Sequence, residues 1–533
     1  MDVCLQRLHA PPLRSAAQVP RRPHRPHRAP VTRPAGFDNC LYLDAQAASI
    51  RERLETADKL FLEFGGKLLY DFHAARVLPG YDPNIKMRLL HELRDQAEII
   101  LCIHAGHIER RKMRADFGIT YDADAMKLVD DLHDHGLEVT AVIITCHEGR
   151  PAAEQFRRKL ERRGLRVYAH APIPGYPDDL THIVSPNGYG ALPLPPTTRP
   201  LVVVTAPGPG SGKLATCLAM LYHEHQAGRR AAYAKFETFP VWDLLPGHPL
   251  NLAYEAATAD LGDTVQTDPF HLEATGRQAT SYSREINAFP LLRTLLQRLG
   301  AAAPCRSPTD LGVNRIRAGI TNEALIREAS CQEIIRRHFR YACEYALGLT
   351  DSTTLERLDA LMRRLDLQPD SRRVVAPARQ AALDGAARQK GNLGVYCGAA
   401  LELADGTLIT GKNSPLMHAA SSVVLNAIKH LAGIPDNIHL LPPAVTRSIG
   451  ALKHDILGRK TESLSLNETL IALSISATLN PSAQAALECL KQLAGTEFHA
   501  THIPTPGDET GLKRLGIHVT CDPHFPSRNL LES

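Results

Sequence analysis

The stretch "LVVVTAPGPGSGKLATCLAML", residues 201–221, decides how this chain folds. An apolar, valine-rich run breaks into a Pro/Gly-rich loop and re-forms as a helical pattern. A phosphate-gripping loop has the pattern G-x-x-x-x-G-K-[ST] between a strand and a helix. Its backbone N–H groups surround phosphate, its lysine reaches the outer oxygens and its hydroxyl holds magnesium. Here the strand, Gly212, Lys213 and the helix are present, but Pro207 replaces the first glycine and Leu214 the hydroxyl. Gly208, Gly210 and Gly212 still let the backbone come close to an anion. The reading is therefore a phosphate site made of Gly208, Gly210, Ser211, Gly212, Lys213 and Thr216. The alternative is a strand-to-helix turn with a solvated lysine.

The flanking sequence repeats the strand-then-helix theme. "KLFLEFGG" (59–66), "EIILCIHA" (98–105), "EVTAVIIT" (138–145), "RVYAHAPI" (166–173) and "AAYAKFET" (231–238) are short apolar runs. Helical patterns such as "DADAMKLVDDLHDHG" and "RPAAEQFRRKLERRG" separate them, ending in Gly136 and Gly164 where a helix C-cap favours a left-handed residue. Alternation of this kind predicts a mostly parallel, Rossmann-like sheet with ligands bound beyond its carboxyl ends. The α/β domain is expected over 36–285, a helical domain over 286–385 and a second α/β subdomain over 386–533. In the last, "GVYCGAALELADGTLITGKN" predicts a hairpin turned at Asp405–Gly406, and Ser414 is expected to cap a helix with Pro415 at its first position.

Bulk composition narrows the classes. A chain of 533 residues needs two to four domains. Seven of its arginines lie in residues 1–35 against the single acid Asp2, leaving −2 of the formal +4 to the remainder. That balance gives no footprint for nucleic acid, and the Pro/Arg-rich first 35 residues read as a disordered basic extension. Eleven scattered cysteines without a CxxC pair predict reduced thiols and a cytoplasmic setting. No apolar run reaches the roughly 20 residues of a membrane span. The expected partner is a small phosphorylated or anionic metabolite, with ATP and magnesium as candidate cofactors and homo-oligomerisation open.

Three groups of polar residues carry candidate chemistry. In "AAYAKFETFPVWDL", Lys235 and Glu237 share one face of a strand at its carboxyl end. They are candidate catalytic residues, with His271 and Glu273 from the polar segment "DPFHLEATG". "LEFGGKLLYDFHAARVLPGYDPN" and "RRKMRADFGITYD" place Glu63, Lys67, His73, Arg76, Arg114 and Asp116 after the first two strands. Lys67, His73, Arg76, Arg114 and Asp116 are the substrate-binding candidates; a solvated face is the alternative for each. "GTEFHATHIPTPGDE" spaces His499 and His502 three apart, a metal-ligand spacing. With Asp268 they are the metal candidates, though spacing fixes no third ligand and structural histidines are the alternative.

Together these segments resemble one family. "FDNCLYLDAQ", "LEFGGKLLYDFHAARVLPGYDPNIKM", "RADFGITYD", "RPLVVVTAPGPGSGKLATCLAMLYHEH", "AKFETFPVWDL", "HPLNLAYEAATADL", "REASCQEIIRR" and "THIPTPGDE" occur in the order found in the bacterial family catalogued as domain of unknown function 1846. The resemblance runs from about Phe37 to about Pro523. It implies an α/β domain, a helical domain and a C-terminal subdomain similar in topology to cytidine deaminases; it implies no activity. Zinc deamination needs H-x-E followed by P-C-x-x-C. Here His418 is followed by Ala420 at the glutamate's position, and "LLPPAV" carries no cysteine, so that chemistry is not expected.

Overall fold

The structure, a computed structural model, describes residues 34–114, 119–302 and 305–526. The expected basic extension thus lies almost wholly outside the described residues. Seven parallel strands form the main sheet, in the order Gly312–Val313, Ala231–Phe236, Lys59–Phe64, Leu201–Thr205, Ala97–His104, Val139–Thr145, Val167–Ala169. The strand quoted at the outset is the central one. Its neighbours are sealed on both faces, which is why these runs are apolar throughout and do not alternate. Phe61, Val202, Val204 and Tyr233 pack under the helix Lys213–Gln226. Leu60, Leu62, Phe64, Val203 and Phe236 point to the other core, beneath the first helix, Asn39–Leu54.

Chain connections leave the strands Leu201–Thr205 and Ala97–His104 in opposite directions: one runs to Ala231–Phe236, the other to Val139–Thr145. Adjacent strands that part in this way open a crevice at their carboxyl ends. Register completes the geometry. Glu63 lies beside Val204 on one side and Lys235 on the other, so Glu63, Lys235 and Tyr233 share the face covered by the helix Lys213–Gln226.

Two expectations require correction. The region from 286 is not wholly helical, because Gly312–Val313 pairs with Lys235–Phe236 as an edge strand. The helix Ser283–Arg298 sends Phe289, Leu295 and Leu296 into the core of the sheet and belongs to the α/β body. A two-residue strand has no periodicity to detect; what holds it is tertiary, with Gln46 donating to the Val313 carbonyl at 2.9 Å and accepting from the Arg315 N–H at 2.8 Å. The helical layer proper is Glu323–Ala346, Ser352–Arg364 and Val375–Ala387. Similarly, Ser414 does not cap a helix. Its hydroxyl accepts from the N–H groups of Leu416 and Met417 in a turn, and the helix begins at Ala419 with His418 at the N-cap position.

The C-terminal sheet has the order Leu408–Lys412, Gly398–Glu402, Glu497–Ala500, His518–Cys521, with the last pair parallel and the others antiparallel. Its first two strands form the expected hairpin, and Gly406 at the turn has φ +83. Among the described residues no helix is long and apolar enough to cross a membrane.

Candidate functional site

The loop between Thr205 and Lys213 is built from backbone. Gly210 and Gly212 are left-handed, at φ +71 and +84, on either side of Ser211. Alternation of hand turns successive N–H groups toward one side, the arrangement of an anion-binding nest. Among the described residues the N–H groups of Gly208, Gly210, Ser211 and Gly212 donate to no protein acceptor. The loop is fixed from below: Thr145 donates to the Ser211 carbonyl at 3.0 Å and Ser211 Oγ to the Gly208 carbonyl at 2.9 Å. Gly212 has no room for a side chain, since a Cβ there would lie 2.7 Å from Thr145 Cγ2. Gly212→Ala is therefore expected to lower stability by about 2 kcal/mol, combining αL strain with the clash. The midpoint of urea unfolding measures it, and an unchanged midpoint would show that the loop has another conformation.

Lys213 begins the helix and its ammonium lies 3.8 Å from the Glu63 carboxylate. Glu63 also accepts from the Tyr233 hydroxyl at 2.8 Å. Beside them Lys235 sits 2.9 Å from Glu237 and pairs with Glu285. The cluster thus holds two ammonium groups among three carboxylates, all largely buried. Burial pushes the Glu237 carboxyl up, against the pull of Lys235 and with the help of Glu285. Burial works against the Lys235 ammonium, yet Glu237, Glu285 and Glu63 together hold its pKa above the ordinary lysine value. A carboxyl raised in this way beside a fixed cation suits general acid–base work.

The opposite wall follows strand Ala97–His104. Tyr121 presses on Gly208, where a Cβ would lie 2.4 Å from its hydroxyl oxygen, and the His107 ring faces Gly210. Burial, then Lys112 and His104, push the His107 imidazole down to about 4, so it is neutral at pH 7. A cavity lined by Lys67, Tyr70, Asp124, Lys127, Ala206 and Pro207 brings Lys67 to the start of the loop.

The remaining predicted residues fall elsewhere. Thr216 is fully buried under the loop and accepts from the Cys102 thiol at 3.5 Å, which removes it from any phosphate. His271 is buried with Nδ1 3.2 Å from Ser307 Oγ, and Glu273 is exposed on the same short helix. Among the described residues neither is joined to Lys235 or Glu237 by a hydrogen bond or ion pair. Asp268 is an N-cap: its oxygens accept from the N–H groups of Phe270, His271 and Thr309 and from the Thr309 hydroxyl. His499 is buried in the C-terminal sheet against Thr520 and Asp522, and His502 Nδ1 meets Thr501 Oγ1. The expected Asp268–His499–His502 metal set is not assembled; among the described residues no group of three or more His, Cys, Asp or Glu side chains could hold a metal ion. His73 and Arg76 turn away from the loop toward Glu333. The Arg114 side chain and Asp116 lie outside the described residues.

Sequence reasoning missed Glu285 and Tyr121. Glu285 stands 50 residues beyond Lys235, and its one local signal is an acidic side chain in the first turn of a helix. Tyr121 opens the helix Tyr121–Asp134 and reaches the loop only through the strand order.

Comparison with known proteins covers almost the whole described body. The chain matches "Domain of unknown function DUF1846, N-terminal" over residues 35–366 and "Domain of unknown function DUF1846, C-terminal" over 370–531. It is 50% identical over 496 residues to a "UPF0371 protein" of Clostridium tetani (strain Massachusetts / E88), covering 93% of this chain and 99% of that one. A "UPF0371 protein" of Clostridium botulinum (strain Kyoto / Type A2) is 50% identical over 497 residues, with the same coverage. The boundary between the two matched regions falls between the helices Ser352–Arg364 and Val375–Ala387, so the long helix Glu323–Ala346 goes with the α/β body. The chain belongs to the DUF1846 family.

Proposed function

We propose that this protein is an enzyme that grips the phosphate of a small phosphorylated metabolite in the Gly208–Gly212 loop and carries out group transfer on it. The observation that carries this reading is the set of N–H groups at Gly208, Gly210, Ser211 and Gly212, held by two left-handed glycines and donating to no protein acceptor among the described residues. They sit at the N-terminus of a 14-residue helix, whose dipole favours the same charge. Lys213 and Lys67 add charge at the two ends of the loop. Lys235 neutralises charge that develops during transfer, and Glu237 moves the proton. His271 and Glu273 stand outside this reading.

Magnesium nucleotide is a poorer fit than a metabolite phosphate. Leu214 lacks the hydroxyl, Ser211 Oγ is spent on the Gly208 carbonyl, and Thr216 is buried. The C-terminal sheet, with helices Val375–Ala387 and Ala419–Leu431 packed on it, supports a deaminase-like topology without deaminase chemistry. At the position of the catalytic glutamate stands Ala420, and His418 Nδ1 is held 2.7 Å from Asp508.

The test is a thermal-shift screen of the full chain against phosphorylated metabolites, ATP with magnesium, and their dephosphorylated counterparts. A phosphorylated metabolite is expected to stabilise the protein, and Lys213→Ala to weaken its binding about 10- to 100-fold, the worth of one charge-assisted contact. Equal binding by wild type and Lys213→Ala of every ligand that stabilises would sink the reading. Stabilisation by ATP with magnesium alone would replace the metabolite with a nucleotide.

A further inference from the structure

The residues His73 and Arg76 lead to a second place where charge is out of balance. Arg76, on the helix Phe72–Val77, forks onto Glu333 at 2.9 and 3.1 Å. Glu333 lies on the long helix Glu323–Ala346 and is also bound by Arg336 and, at 2.9 Å, by Arg337. Arg336 reaches on to Glu497 at 3.2 Å, and Arg372 meets the same carboxylate at 2.6 Å. Four guanidiniums therefore share two carboxylates, a surplus of two positive charges where the α/β body, the long helix and the C-terminal sheet meet. Of the neighbouring carboxylates, Asp71 is matched by Lys86 at 2.8 Å, and Asp522 shares Arg379, at 2.7 Å, with the exposed Asp370. Asp260 accepts from the Tyr341 hydroxyl at 3.0 Å.

Such a surplus is expensive to hold out of water. The side chains of Arg336 and Arg337 are 11% and 13% exposed, and that of Arg372 is 1%. Burial accordingly depresses the pKa of Arg337 and Arg372. The histidines at the edge do not offset the charge; burial holds His73 and His518 down. Unused donors remain. Among the described residues Arg76 Nη1 and Arg337 Nη1 make no hydrogen bond, and Arg336 Nε is buried without a partner. Arg76 keeps 21% of its side chain exposed and Glu497 29%, so the cluster is not sealed from solvent.

We infer that the Arg76–Arg336–Arg337 cluster is a binding site for a phosphate dianion, separate from the glycine loop. Two negative charges equal the surplus, and a phosphate monoester or free phosphate at neutral pH carries close to two. The planar fork of guanidinium matches the oxygens of phosphate, which lysines at the surface would contact only as point charges. Because the ligand bridges helix Phe72–Val77 and helix Glu323–Ala346, its binding braces the one against the other.

The experiment is calorimetric titration of the full chain with inorganic phosphate and, separately, with glycerol 3-phosphate. Lys213→Ala is used to weaken the loop, and any binding left there is told apart by its indifference to Arg337→Lys, so failure here and failure of the loop reading give different results. In the Lys213→Ala protein one site for phosphate or its ester is expected to remain. Adding Arg76→Ala and Arg337→Ala should weaken that site at least about 100-fold. Arg337→Lys alone, which keeps the charge and loses the fork, should weaken it about 10-fold in a protein whose circular dichroism is unchanged. Binding of the ester as well as free phosphate identifies a site open at one end; binding of free phosphate alone identifies a closed one. Absence of binding by both probes in Lys213→Ala, or affinity untouched by Arg337→Lys, overturns the inference.

Discussion

Glu333→Gln is expected to lower stability by about 3–5 kcal/mol, the usual consequence of removing one partner from a buried ion cluster. Glu333 is 1% exposed, and three guanidiniums and the His73 ring converge on its two oxygens. The amide keeps the shape and removes the charge, leaving those cations facing one another. Urea unfolding at constant slope measures the loss; a change below about 1 kcal/mol would mean that solvent screens the cluster. The pH dependence supplies a second check. Burial alone would raise the Glu333 carboxyl, but Arg76, Arg336 and Arg337 hold it well below its ordinary 4.5, and Arg336 and Arg372 do the same for Glu497. A depressed folded-state pKa gives stability that is present above the unfolded value, near 4.5, and lost as pH falls through the folded one. Wild type should therefore weaken steadily below about pH 4.5, and Glu333→Gln should weaken less steeply there.

Lys235→Met is expected to show the opposite pH behaviour. Without the ammonium, Glu237 and Glu285 face each other in a largely buried cluster with Glu63 close by. Their folded-state pKa values then lie above the unfolded ones. Stability linked to such groups is fully present below the unfolded pKa and lost as pH rises through the folded pKa. The variant should be almost as stable as wild type near pH 4 and about 3 kcal/mol less stable near pH 8. Lys235→Met with Glu237→Gln should recover part of the deficit at pH 8. A deficit independent of pH would show that Lys235 contributes packing and not charge. Because Lys235 also belongs to the proposed transfer machinery, ligand binding by Lys235→Met is best compared at the low-pH end, where the fold is least disturbed.

The parallel sheet was legible because its strands are buried on both faces: "LVVV", "EIILCIHA" and "TAVIIT" can be little else between helical patterns. The loop was legible for a different reason: Gly210 and Gly212 stand where the chain turns left-handed, and a Cβ at Gly208 or Gly212 would meet Tyr121 or Thr145. What could not be read was adjacency. Glu285 joins Lys235 across 50 positions, and Glu333 joins Arg76 across 257, through strand order and helix packing that no local pattern encodes. Spacing also misled. His499 and His502, three apart, lie on and just after a strand and find separate partners, Thr520 and Thr501. The short polar segment at 268–273 proved to be a capped helix, because an aspartate before Pro269 satisfies N–H groups as readily as it binds a metal.

The central position of Leu201–Thr205 also governs how the chain must acquire its shape. Lys59–Phe64 and Ala97–His104, made early in synthesis, never touch as a strand pair; each bonds to the strand that arrives about a hundred or more residues later. Until then both present open edges with unmet N–H and C=O groups. Closure of the sheet is thus a late, long-range event, of the kind that makes folding slow and leaves nascent chains in need of protection from association. The strand that carries the glycine loop is the keystone whose insertion completes the body.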